Sequence, residues 1–159
     1  MHLLLIEIIE KVAGSLLKIL SVIFTVIFLV ACTSENSATI VTQDGAAHKF
    51  SIEIMDNDTT RAKGMMFRQE LAPDAGMLFD FHEEKQVAFW MRNTFIPLDM
   101  IFIAADGTIK NIHVNAKPQD PTTIPSDGPV RFVLEINGGR SVELGIAKGD
   151  RLEHFRVNN

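Results

Sequence analysis

The sequence predicts an all-β domain, mainly antiparallel and folded as a sandwich or a squashed barrel, with one short helix near residues 58–63. Alternation is the first observation: in residues 48–54, Phe50, Ile52 and Ile54 fall on one face and polar residues on the other, as in a half-buried strand. The second is that most such segments are short and bounded by glycine, proline or aspartate, while helix signals are scarce. Many short strands joined by turns are typical of these two architectures.

The first elements are a hairpin and the short helix. Strands are predicted at residues 39–42 and 48–54, with a turn at Asp44-Gly45 between them. Asn57 can cap the first turn of the helix, and Gly64 can adopt the left-handed conformation that ends one. So short a helix must be held by packing against the sheet.

The rest of the chain predicts strands and one long loop. Six further strands are expected, at residues 77–81, 87–92, 100–104, 108–114, 130–136 and 151–157. Residues 100–103 are apolar on both faces, which favours a central position, and Asp106-Gly107 forms a hairpin turn after that strand. Residues 117–129 contain four prolines and predict a loop long enough to have a functional or mobile role, whereas residues 138–145 predict a turn or short helix.

Residues 1–31 have the layout of a bacterial lipoprotein signal peptide. Lys11 and Lys18 precede an apolar run, and Leu29-Val30-Ala31-Cys32 resembles the lipobox in which the cysteine is acylated and becomes the new N-terminus. An uncleaved membrane helix is the alternative, but the uninterrupted apolar stretch at 19–31 is short of the ~20 residues that a span needs.

This organisation predicts a signal peptide at residues 1–31, a tether at 32–38 and a single β-rich domain at 39–159. Acylated Cys32 would anchor the protein to a membrane of the cell envelope. Thr33 after the cysteine resembles the signal for the outer membrane, facing the periplasm, if the host is Gram-negative.

Composition narrows the function classes. The net charge is −5, and the two lysines and two glutamates of residues 1–31 cancel, so the predicted domain keeps that charge. An acidic domain with scattered basic residues does not suit nucleic acid. Cys32 is the only cysteine, so we expect no disulfide, and no cofactor or metal ligand set is evident from spacing.

Several ordered motifs resemble one known family. They are Gly64-Met65-Met66-Phe67-Arg68, Gly76-Met77-Leu78-Phe79, Phe89-Trp90-Met91-Arg92-Asn93-Thr94, Pro97-Leu98-Asp99, Val133-Leu134-Glu135 and Gly145-Ile146 with Gly149-Asp150. Together they are similar to the domain-of-unknown-function family 192, small and often exported proteins of bacteria and archaea. The resemblance covers about residues 48–157 and implies a compact β-rich fold, but it implies no activity.

Six residues are candidates for a ligand site: Arg61, Arg68, Trp90, Asn93, Asp99 and Glu135. Alternation along the strand places Trp90 and Arg92 on the face opposite Phe89, where they could stack on a ligand or be covered by the helix or the proline loop. Asp99 needs a partner if buried, and Glu135 shares a strand face with Val133.

We therefore expect an envelope lipoprotein that binds a small ligand or an envelope protein without catalysis. One alternative is a hydrolase acting on sugar or peptidoglycan through Asp99 and Glu135. Another is a copper-binding protein, since six methionines follow Cys32, although methionine more often fills gaps in a core. The common catalytic motifs, including GxSxG, HExxH, Walker loops and CxxC, are absent, which argues against an enzyme without deciding the question.

Overall fold

A computed structural model describes residues 35–157 and confirms the predicted β-rich fold. The described elements, in chain order, are β1 (Ser37–Val41), β2 (Ala47–Met55), α1 (Asp58–Lys63), β3 (Ala75–Lys85), β4 (Ala88–Phe89), β5 (Leu98–Ile103), β6 (Ile109–Ala116), β7 (Ile124–Pro125), β8 (Val130–Asn137), α2 (Arg140–Glu143) and β9 (Arg151–Glu153). Within that range, neither helix has the length and apolar character needed to cross a bilayer. The predicted signal peptide, Cys32 and the start of the tether lie outside the described residues.

Seven strands form one curled sheet in the order β6-β5-β8-β3-β2-β1-β9. Its two edges approach each other at a bridge between Thr108 and Arg151, where the amide of Leu152 donates to the carbonyl of Gly107 at 2.8 Å. The sheet is thus a half-barrel. The pairing of β2 with β3 is parallel, unlike the other named pairs, because α1 forms part of the crossover between them.

The sheet buries apolar side chains on both faces. The inner face packs residues such as Phe50, Leu78 and Leu134, and the outer face packs a second cluster that includes Phe79 and Phe102. All six residues of β5 are buried between β6 and β8, which confirms the predicted central strand. The elements that cover the outer face create the site described below.

Two predicted segments differ in the structure. The strand expected at 87–92 is reduced to the two residues of β4, which pair with β7 from inside the proline loop. After β4 the backbone bonds to the proline loop instead of continuing the strand, since the amide of Met91 donates to the carbonyl of Asp120 at 2.9 Å. The last strand ends at Glu153, and residues 154–157 form a turn closed by Val157 N–H to the carbonyl of His154.

The short helix α1 begins as its sequence predicts, and it ends at the predicted glycine but not in the predicted left-handed conformation. The side chain of Asn57 accepts from the amide of Thr60 at 3.0 Å, and the hydroxyl of Thr60 accepts from the amide of Asn57, which completes a capping box. Gly64 follows the helix with φ +46° and ψ −135°, a combination outside the left-handed helical basin. A Cβ at Gly64 would also lie 3.2 Å from the Phe79 ring, so both the backbone conformation and the limited space favour glycine there.

The two ends of the described chain meet. A ring nitrogen of His154 lies 3.0 Å from the carbonyl oxygen of Glu35, and the guanidinium of Arg156 lies 3.4 Å from the Glu35 carboxylate. The chain therefore enters and leaves the half-barrel at the same place.

Candidate functional site

Glu135 lies on the outer face of the sheet, in the middle of β8. The register pairs it with Met77 on one side and Met100 on the other, so both methionines project from the same face. Only 4% of Glu135 is exposed to solvent. The prediction that Glu135 shares a face with Val133, opposite Leu134, is confirmed.

A cavity of about 40 Å³ opens in front of Glu135. Its walls come from α1 and the residues after it, from the sheet, and from the segment around Trp90; the lining residues are Arg61, Ala62, Lys63, Gly64, Met65, Met66, Phe79, Phe89, Trp90, Thr94 and Glu135. Burial orders these residues: Glu135 lies at the closed end of the cavity, and Trp90, 48% exposed, lies at the mouth.

The carboxyl group of Glu135 is the unusual feature of this cavity. Its Oε2 atom is buried and has no hydrogen-bond partner, the only such carboxyl oxygen among residues 35–157. Burial raises the pKa of Glu135 to about 8, while the positive charge of Arg68 acts in the opposite direction. At neutral pH the group is therefore mostly protonated, and it can either donate a hydrogen bond or ionise when a cation approaches.

The two arginines nearest the cavity are bound to other groups. Arg68 contacts Glu53 at 2.6 Å. Arg61 donates to the carbonyl of Asp80 at 2.8 Å and to the carboxylate of Asp58 at 2.6 Å. The structure thus brings Arg61 into the cavity wall and places Arg68 close enough to act on Glu135 electrostatically.

Exposed aromatic side chains occur near the cavity. Phe67 is 60% exposed and packs edge-on against Phe95, with ring centroids 6.2 Å apart. The guanidinium of Arg92 lies 5.3 Å from the Trp90 ring, and Trp90 is half-exposed, so neither the helix nor the proline loop covers it fully. Asn93 supports this surface through its backbone, since its carbonyl accepts from the amide of Phe67 at 2.8 Å.

Asp99 does not belong to this cavity. It is fully buried and accepts hydrogen bonds from the amides of Asn115 (2.7 Å), Gly139 (2.7 Å) and Ser141 (2.8 Å), and from the Ser141 hydroxyl. These amides and the hydroxyl are its hydrogen-bond partners among the described residues, and none of them belongs to an arginine. Asp99 fixes the loop that leads into α2.

The register also separates the two carboxylates proposed for a hydrolase. Asp99 pairs with Ile136, whose side chain lies in the inner cluster, whereas Glu135 pairs with Met100 in the outer one. Residues paired across strands project to the same face, so Asp99 and Glu135 lie on opposite faces of the sheet. The prediction that Asp99 and Glu135 act together on one glycosidic bond is therefore wrong.

The methionines are concentrated on the outer face. Met65, Met77, Met91 and Met100 are buried in one cluster, and Met65 and Met66 line the cavity. Within residues 35–157 no three histidine, cysteine, aspartate or glutamate side chains converge as a metal site would require. Thioethers are therefore the only soft donors that these residues place beside Glu135.

Sequence reasoning missed part of the cavity wall. Thr94 and Phe89 line it, and so do the two methionines after Gly64. These residues belong to the motifs that carry the family resemblance. Those motifs were therefore the sequence signal that could have identified them as part of the site. A larger depression of about 420 Å³ lies along the proline loop, but its one carboxylate, Asp120, already accepts from the amide of Thr122 at 2.8 Å.

Comparisons with known proteins agree with this fold. The structure resembles that of a protein from Sinorhizobium meliloti 1021 described as a proposed transcription regulator, with 47% identity, a TM-score of 0.73, and coverage of 74% of this chain and 91% of that one. It also resembles a protein of unknown function from Novosphingobium aromaticivorans DSM 12444, with 44% identity, a TM-score of 0.71, and coverage of 74% and 83%. A search of curated proteins gave no match.

The family comparison covers nearly all of the described elements. Residues 39–154 match the family DUF192, described as Uncharacterized ACR. That range includes α1, the Trp90 segment and Glu135, and so every wall of the cavity. The chain belongs to the DUF192 family.

Proposed function

We propose that this protein is a lipid-anchored protein of the cell envelope whose β-rich domain binds a small ligand in the Glu135 cavity without catalysis. The observation that carries the binding role is the buried Oε2 of Glu135, which lacks a hydrogen-bond partner and belongs to a residue that lines the cavity. Leaving such an atom unpaired costs free energy, and a ligand donor would recover it. Half-exposed Trp90 offers the ligand an apolar contact at the mouth.

The arrangement supports binding over hydrolysis. Glycoside hydrolysis generally needs two carboxylates that flank one bond, and Glu135 has no second carboxylate in the cavity wall. A role in DNA binding is not favoured. The helices within residues 35–157 have six and four residues and the net charge of the chain is −5, so this part of the protein lacks the basic recognition helix that many DNA binders use.

The envelope location rests on the lipobox-like sequence ending at Cys32. A ligand or a segment of another envelope protein would then reach the cavity from the aqueous side of the membrane. Two or more acyl chains on the cysteine would hold the protein firmly, whereas one would not.

A binding screen tests the ligand role. Full-length protein, extracted from membranes in a non-ionic detergent, is screened by thermal shift against metals, sugars, amines and envelope fragments. Glu135→Gln keeps the shape of the side chain and should abolish the response to any true ligand, and Glu153→Gln, an exposed glutamate on β9, should leave it intact. A response that both variants retain, or no response from any compound, would overturn the proposal.

A further inference from the structure

We propose that the Glu135 cavity takes a primary ammonium group carried at the end of an aliphatic chain. This inference rests on the proposed binding function and specifies its ligand class. Three features of the cavity lead to it: the missing counter-ion of Glu135, the aromatic and thioether walls, and the size of the space.

The first feature is charge pairing. Both arginines beside Glu135 are bound to other carboxylates, Arg68 to Glu53 and Arg61 to Asp58, each at 2.6 Å. Lys63 of α1 also lines the cavity, but no hydrogen bond or salt bridge joins it, Arg61 or Arg68 to Glu135 among residues 35–157. A ligand cation is the group that would pair with Glu135, and an N–H donor is what its free Oε2 requires.

The second feature is the wall. Phe79 and Phe89 meet edge-to-face with centroids 5.0 Å apart, and Trp90 lies at the mouth. Aromatic faces attract organic cations, and the Arg92 guanidinium 5.3 Å from the Trp90 ring shows that this ring already accepts one. The thioethers of Met65 and Met66 add polarizable, uncharged surface.

The third feature is size. About 40 Å³ holds one or two waters or a single ammonium head, and it is too small for a sugar ring or a trimethylammonium group. A ligand therefore inserts only its end, and its chain leaves across the exposed surface near Trp90. An aliphatic chain suits that surface because contact with half-exposed aromatic rings removes apolar area from water.

Binding of an ammonium group needs Glu135 in its ionised form. Besides Glu135, the charged groups of the cavity wall are Arg61 and Lys63 from α1, and Arg68 acts on Glu135 electrostatically from outside the wall. The cavity residues from β3, β4 and the Trp90 segment are uncharged. Since burial keeps Glu135 mostly protonated at neutral pH, the ligand would displace a proton, and its affinity would rise with pH until Glu135 is fully ionised.

Calorimetry on the full-length protein in detergent tests this inference. The probes are hexylamine, neutral hexanol as its matched control, hexyltrimethylammonium, and acetyl-lysine methylamide, which represents a lysine side chain. We expect hexylamine to bind and hexanol and hexyltrimethylammonium to bind at least about tenfold more weakly. Whether hexylamine or the lysine compound binds more tightly distinguishes a free amine from a protein side chain as the source of the group.

Proton release is measured on the unaltered chain, by repeating the hexylamine titration in two buffers of different ionisation enthalpy. We expect release near neutral pH and a loss of affinity of about tenfold or more in Glu135→Gln, with Glu153→Gln unchanged. Equal binding of hexylamine and hexanol, or amine binding without proton release, would overturn the ammonium assignment.

The outcomes separate this inference from the function on which it rests. If the amines fail but a sugar, a carboxylate or Cu(I) binds and Glu135→Gln abolishes that binding, the cavity is a ligand site for another class and the ammonium assignment is wrong. Cu(I) is tested with Cys32→Ser protein so that no unacylated Cys32 thiol contributes. If no probe binds, both proposals fail.

Discussion

Arg68 and Glu53 form a pair at 2.6 Å that keeps the guanidinium of Arg68 away from direct contact with Glu135. Their bond lowers the pKa of Glu53 and raises that of Arg68, so both stay charged over the physiological range. Arg68 consequently acts on Glu135 only through space, and it offsets only part of the cost of burial. The buried carboxyl therefore depends on pH in a way that can be measured.

The stability of the protein should fall as pH rises from about 4.5 to 8 because of Glu135. In that interval the unfolded chain loses the Glu135 proton while the native state, with a pKa of about 8, keeps it, so unfolding becomes more favourable. Glu135→Gln removes this dependence. We expect the variant to gain several kcal/mol over the parent between pH 5 and pH 9, at about 1.4 kcal/mol for each tenfold difference in proton affinity.

Chemical denaturation at several pH values measures this difference. Glu153→Gln serves as the control, because an exposed carboxylate should give a difference from the parent that changes little with pH. A constant difference between Glu135→Gln and the parent would show that Glu135 ionises normally in the folded protein.

Asp99→Asn should destabilise the protein by several kcal/mol without affecting ligand binding directly. The carboxylate accepts from three amides and one hydroxyl, and an asparagine would turn an N–H₂ group toward some of these donors. Urea unfolding gives the change in free energy. Asp127→Asn is the control, since the described contact of the Asp127 side chain is an exposed one with Lys148 at 3.9 Å, and equal stability of the two variants would contradict the structural role.

Gly64→Ala should cost more than Gly45→Ala. Both glycines have positive φ, +46° at Gly64 and +88° at Gly45, so an alanine is strained at either position, and Gly64 with ψ −135° lies outside even the left-handed basin that other residues occasionally adopt. Only at Gly64 would the added Cβ also press on the Phe79 ring at 3.2 Å, whereas nothing lies within 4 Å at Gly45. Thermal unfolding of both variants measures the difference, and equal losses would contradict the additional strain and crowding at Gly64.

Cys32→Ser should prevent acylation and processing by the lipoprotein route. The prediction follows from the lipobox-like residues that precede Cys32. Metabolic labelling with a fatty-acid analogue, followed by membrane fractionation, provides the measurement. The matched control is Thr33→Ser, which also introduces a serine and should be labelled like the parent. Equal labelling of the Cys32→Ser variant would overturn the lipoprotein assignment.

Features that depend on one strand alone were predicted correctly from the sequence, whereas features that depend on how strands pair with one another were missed. Alternation placed Glu135 with Val133, and uniform burial placed residues 100–103 in a central strand, because both patterns are local. The relation of Asp99 to Glu135 depends on the register between β5 and β8, which no pattern within one strand determines.

The same limit explains the remaining differences. The two-residue ladder of β4 with β7 is too short to give a periodic signal, and β7 contains Pro125, which argues against a strand when read alone. The parallel pairing of β2 with β3 depends on how the crossover through α1 packs, which involves residues distant in sequence. Both arginines near the cavity were predicted from the sequence as site residues. Their ion-pair partners, Glu53 and Asp58, became evident only in the three-dimensional structure.

The meeting of Glu35 with His154 and Arg156 means that the two ends of the described domain lie close enough to be joined. A circular permutant that joins residue 157 to residue 35 by a short linker, and opens instead at the exposed turn around Gly45, would preserve every strand pair of the sheet. The ends of the described chain are therefore one place on the domain surface, and a group attached at residue 157 would share that place with residue 35.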